Sequence, residues 1–109
     1  MDIIIQSLGF KHSNNLEEFV REKLSKLNKE AGKIVRANVT LFQGSGANPN
    51  NYCEIRLEVP GNDHFVKKSH EVFETAILEA VETLQKVFRR NKEKEMGRRQ
   101  AETDPNFAV

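Results

Sequence analysis

Residues 72–88 read VFETAILEAVETLQKVF, and the spacing of their apolar side chains decides the fold. Val72, Phe73, Ala76, Ile77, Ala80, Val81, Leu84, Val87 and Phe88 recur every three or four positions, which predicts a helix with one apolar stripe held for more than four turns. Ser69 stands where a side-chain hydroxyl would cap that helix. An amphipathic helix of this length needs an apolar partner surface. The segments upstream supply one in the form of strands.

Cys53, Ile55, Leu57 and Val59 alternate with Tyr52, Glu54, Arg56 and Glu58, a period of two that predicts a strand with one buried and one polar face. Val35, Ala37, Val39 and Leu41 alternate in the same way with Arg36, Asn38, Thr40 and Phe42. Between these strands lies GSGANPNN, Gly44–Asn51, a loop composition. Pro60 and Gly61 suit the central positions of a type II turn, since proline fixes the first φ and glycine supplies the positive second one, and His64–Lys68 returns as a further strand. At the N-terminus Ile3–Ile5 opens a β-branched strand that ends near Gly9. Leu16, Phe19, Val20, Leu24 and Leu27 then predict a helix from Asn14 to Lys29, capped by Ser13 and stopped by Gly32. The order β-α-β-β-β-α, with amphipathic strands and only two helices, predicts an α+β two-layer sandwich: a four-stranded sheet with both helices on one face and the other face open.

The whole chain is 109 residues, 38% hydrophobic and 30% charged, with a net charge of +1, which fits one small domain. No apolar run approaches the length of a membrane helix, no secretory segment precedes the first strand, and Cys53 is alone, so the expectation is a cytoplasmic protein that meets no membrane. His12, His64 and His70 are scattered without metal-ligand spacing, Cys53 falls on the inward phase of its strand, and Glu71, Glu74, Glu79 and Glu82 face solvent by helical phase. No nucleophile, base and oxyanion donors assemble, so neither enzyme activity, a small-molecule substrate nor a cofactor is expected.

The near-neutral total hides an uneven distribution. Within 86–99 stand Lys86, Arg89, Arg90, Lys92, Lys94, Arg98 and Arg99 against only Glu93 and Glu95. With no proline and only Gly97 in that stretch, the helix is expected to run on past its apolar stripe as a basic extension, and Asp104–Val109 to form a frayed tail. Lys86, Arg90 and Lys94 share one flank of the stripe. Lys23 lies within the apolar arc of the first helix and Lys26 beside it, so their heads must reach out at its edge. Two lysine-rich helix edges lying side by side would suit an RNA backbone. The αβββα order after the first strand resembles the double-stranded RNA-binding domain, but Glu71 and Glu74 stand where that family carries lysines, which speaks against ordinary duplex binding.

Four stretches in register, the opening IIIQSLGF, FVREKLSKL (19–27), YCEIRLEVPGND (52–63) and FETAILEAVETLQKVFRRNKEK (73–94), resemble the ribosome hibernation-promoting factors, the family of the ribosome-associated inhibitor A, also labelled sigma-54 modulation proteins. The resemblance covers about residues 1–95, with 96–109 as a tail, and is to the short form of the family. It implies the same β-α-β-β-β-α fold and a non-enzymatic factor that occupies the messenger and transfer RNA channel of the small ribosomal subunit, silencing translation and preserving idle ribosomes under stress or in stationary phase. By position, the family's ribosomal RNA contacts correspond here to Lys23, Lys26, Lys86, Arg89, Arg90, Lys92 and Lys94. Val72–Ile77 lacks the aspartate–aromatic pair that many members show there, so no contact is assigned to it. The free protein is expected to be a monomer. A competing reading is a protein-interaction module whose open sheet face, with Tyr52, Glu54, Arg56 and Glu58, meets a regulatory protein such as a sigma factor.

Overall fold

The computed structural model describes the backbone of residues 1–45, 47 and 50–103, and the side chains of these up to Arg90. Its elements are β1 (Asp2–Leu8), α1 (Asn14–Ala31), β2 (Arg36–Gln43), β3 (Asn51–Val59), β4 (Asn62–His70) and α2 (Phe73–Thr103). The sheet runs β1-β2-β3-β4, with β1 parallel to β2 and the other neighbours antiparallel. A parallel neighbour requires a crossover, and α1 is that crossover. The order and the two-layer architecture are those expected from the hydrophobic periods.

The strand alternation sorts side chains as the sequence demands. Ala37, Val39 and Leu41 of β2, Cys53, Ile55 and Leu57 of β3 and Val66 of β4 are buried on one face, where they meet Leu16, Val20, Leu24 and Leu27 of α1 and Ala76, Ile77, Ala80, Val81 and Leu84 of α2. Among the described residues no polar or charged side chain is buried, so the core is held by apolar contact alone. Alanines at 76 and 80 carry little bulk on the stripe of α2, which packs on β3 and β4.

Ser13 caps α1 as expected, its hydroxyl accepting from the Leu16 N–H at 3.1 Å. Gly32 ends the helix in the left-handed conformation, φ 67°, with its N–H donating to the Asn28 carbonyl at 2.7 Å. Gly61, at φ 85°, makes the tight β3–β4 turn with Pro60 between the paired residues Val59 and Asn62.

Three local expectations fail. Ser69 does not cap α2, because it pairs with Tyr52 and β4 continues to His70. The helix is entered instead through Glu71 and Val72: the His70 imidazole Nδ1 accepts from the Val72 N–H at 3.1 Å, and the Asn51 amide donates to the Glu71 carbonyl at 2.8 Å. Val72 consequently precedes the helix and is 47% exposed. Val35 also leaves the inward phase, at 57% exposed, because it lies in the connection before β2 with its N–H and C=O tied to Glu58 and Asp2; Ile34 is buried in its stead. The basic stretch after Phe88 is helical through Thr103, and Asp104–Val109 lies outside the described residues.

Candidate nucleic-acid interface

Two contacts fix how the helices lie together. The Phe10 and Phe73 rings stack at 5.3 Å where the helices begin, and Arg89 approaches Glu30 at 3.9 Å where the apolar stripes end. The helices therefore run parallel, both directing their C-terminal ends to one end of the domain. The end of α1 carries partial negative charge from the backbone, which favours Lys29 in its last turn, whereas α2 runs on past this point to Thr103.

Of the seven cations singled out from the sequence, the five whose side chains are described occupy four kinds of place. Lys23 is half-buried, with Nζ lying 5.4 Å from the centre of the Phe19 ring one turn earlier, so its stem covers apolar surface and its head sits at the edge of α1. Lys26 is exposed and pairs with Glu22 at 3.4 Å. Lys86 and Arg90 are exposed on α2, while Arg89 reaches across to Glu30 of α1. Lys92 and Lys94 follow on the same helix, and their side chains lie outside the described residues. Arg89 is thus the described candidate that reaches from one helix to the other.

The open sheet face is electrically different. Arg36 pairs with Glu58 at 3.5 Å, Lys67 with Glu54 at 3.8 Å, and Arg56 donates two N–H groups to one Asp63 oxygen, the shorter at 2.7 Å. The hydrogen bond to Asp63, with that carboxylate's charge, raises the already high pKa of Arg56. Lys67 also lies over the stacked, parallel Phe42–Tyr52 pair, 5.6 and 5.2 Å from the two ring centres. Each of these sheet cations is matched by an acid within its own sheet, so this face has little net positive potential to offer a phosphate chain.

Sequence reasoning missed two clusters. Lys33, Val59, Pro60, Asn62, His64, Gln85, Phe88 and Arg89 border a cavity of about 590 Å³ between the C-terminal end of α1, the β3–β4 turn and the middle of α2. These residues come from four segments, and only tertiary packing assembles them. The second cluster is a relay in which His12 Nδ1 lies 3.0 Å from the Ser7 hydroxyl and His12 Nε2 lies 3.3 Å from the Glu17 carboxylate. It resembles a hydrolytic triad in composition, yet it pins the end of β1 to the first turn of α1, and the cavity lies at the other end of α1. Among the described residues no group of His, Cys, Asp or Glu is arranged to hold a metal ion.

Cys53 is fully buried, and burial, with the Glu54 charge adding to it, pushes its thiol up to about 12. The thiol should therefore resist Ellman's reagent in native buffer and react at once in denaturant. Its folded pKa is raised from 9.0, so the stability it contributes is full below pH 9 and is lost as pH climbs from 9 towards 12. Native-state labelling as fast as in denaturant would contradict this burial.

No helix among the described residues is long and apolar enough to cross a membrane. The fold is similar to that of the N-terminal domain of Protein Y from Thermus thermophilus, at a TM-score of 0.71 and 23% identity, over 83% of this chain and 98% of that one. It is also similar to a ribosomal subunit interface protein from Coxiella burnetii, at a TM-score of 0.75 and 14% identity, over 85% of this chain and 99% of that one. No curated protein matches the sequence. Residues 3–96 match the family described as Sigma 54 modulation protein / S30EA ribosomal protein, and with nearly the whole domain inside that match the chain belongs to this family of non-enzymatic, ribosome-associated proteins.

Proposed function

We propose that the domain is a cytoplasmic ribosome hibernation factor that binds the small subunit as a monomer, occupies the messenger and transfer RNA channel and so silences translation while preserving idle ribosomes. In this reading residues 1–95 form the binding domain and 96–109 a tail, and Lys23, Lys26, Lys86, Arg89, Arg90, Lys92 and Lys94 meet ribosomal RNA. The observation that carries it, within the family, is the asymmetry of charge: the sheet face pairs its cations internally, whereas α2 bears seven Lys and Arg against two Glu over 86–99. Phosphates release their condensed counterions most readily to cations concentrated on one exposed segment. The mechanism is steric exclusion with no turnover.

The test is sedimentation of the purified protein with ribosomes through sucrose gradients at increasing salt. Co-migration with the small subunit is expected at low salt, with log affinity falling by roughly 0.7–0.9 per log unit of salt for each phosphate contact. Absence from every ribosomal fraction at low salt would overturn the reading, and a partner retained from nuclease-treated lysate would then direct attention to the open sheet face.

A further inference from the structure

The geometry points to a nucleotide subsite in the cavity between the C-terminal end of α1, the β3–β4 turn and α2, where a base packs in the His64–Phe88 corner and its phosphate meets Lys33 and Arg89. The cavity volume, about 590 Å³, falls in the range of roughly 300–1,000 Å³ common for small-molecule clefts. His64 and Phe88 meet edge to face at 5.2 Å, with 68° between their planes, and so leave an aromatic angle against which a planar base can lie. Asn62 and Gln85 border the same space, and each amide carries both a donor and an acceptor, the combination needed to pair with a base edge. Lys33 and Arg89 supply positive charge at its rim.

Glu30 is the one acid on this lining, and its 3.9 Å approach to Arg89 is an exposed pair at the limit of contact. Such a pair is readily exchanged for a phosphate, which offers Arg89 a more highly charged acceptor. The chemistry recognised is a nucleoside 5′-phosphate, from either of two sources: an unstacked nucleotide of the bound RNA or a free mononucleotide. The first source rests on the proposed ribosome binding, since Arg89 belongs to both sites. The second does not.

The experiment uses the full chain, its His64→Ala and Gln85→Ala variants, and two arms. In the first, amide resonances are followed by NMR during titration with each of the four nucleoside 5′-monophosphates up to about 5 mM, enough to fill most of a site with a Kd of about 1 mM, with inorganic phosphate alongside. Shifts confined to the cavity lining, produced by a nucleotide, absent with phosphate and lost in both variants, are expected. In the second arm the folded variants are sedimented with ribosomes. If an RNA nucleotide fills the site, affinity falls roughly tenfold while the salt slope stays within one contact of the parent's, because a contact to the base rather than to a phosphate has been lost. Nucleotide shifts with unchanged ribosome binding assign the site to a free nucleotide. Failure of both arms, with variants that melt like the parent, overturns the subsite. Failure of the parent to sediment overturns the ribosomal reading instead and leaves the titration to decide the cavity.

Discussion

Reversing Arg89, Arg90 and Lys92 to glutamate should lower ribosome affinity by at least about a hundredfold at physiological salt and flatten the salt dependence by roughly two to three log units per log unit of salt. In the proposed binding mode each substitution removes a phosphate contact and adds a charge that repels the next phosphate along the chain. All three positions follow Phe88, the last core-packed residue of α2 among the described side chains, and Arg89 and Arg90 are exposed, so the change leaves the described apolar stripe untouched. Arg89 does face Glu30, and a glutamate there places two acids near each other, which makes Glu30→Gln in the same background the appropriate control for folding. Sedimentation against a salt series, with a thermal melt of each variant, reads both effects. Binding within threefold of the parent would remove the interface from this helix.

Leu24→Ala should lower stability by about 2–5 kcal/mol and the melting temperature by roughly 10 °C or more. Leu24 is 0% exposed, on the stripe of α1, within the core that the two helices and the sheet share. Truncation there removes transfer energy and also leaves a void that neighbours from two layers must collapse to fill. Against a total of about 5–15 kcal/mol for a domain of this size the loss is large. Ile4→Ala is the matching control, since Ile4 is of similar size but 43% exposed, and its loss should cost much less. Equal melting shifts for the two variants in a calorimeter would show that the helix layer does not seal the core as described.

The elements were legible wherever one period ruled a long stretch. Leu16, Val20, Leu24 and Leu27 could only make a helix, and Cys53, Ile55 and Leu57 only a strand, because no other backbone places all members of each set on one side. Boundaries were less legible because they are settled between segments. Ser69 has the side chain of a cap, but the ladder with Tyr52 holds it in the sheet, and nothing local to Ser69 reveals that. Val35 keeps the phase of β2 in sequence, yet hydrogen bonds to β1 and β3 turn it outward. The basic character of the candidate interface was visible as composition. Its geometry was not: whether Arg89 touches Glu30, and whether His64 touches Phe88, depends on the rotation of each helix about its axis, which no single segment encodes.

The internally paired sheet face has a kinetic consequence. A body whose cations are gathered at one end, while its broad opposite surface is electrically quiet, turns in the field of a polyanion before it touches it. Encounters that start in the wrong orientation are thereby corrected during approach, and such steering raises association rates by roughly 10- to 1,000-fold at low ionic strength. The closed pairs Arg36–Glu58, Arg56–Asp63 and Lys67–Glu54 contribute by silence: they would deny an approaching polyanion, such as the RNA of the proposed function, a second handle and so give the collision a single polarity.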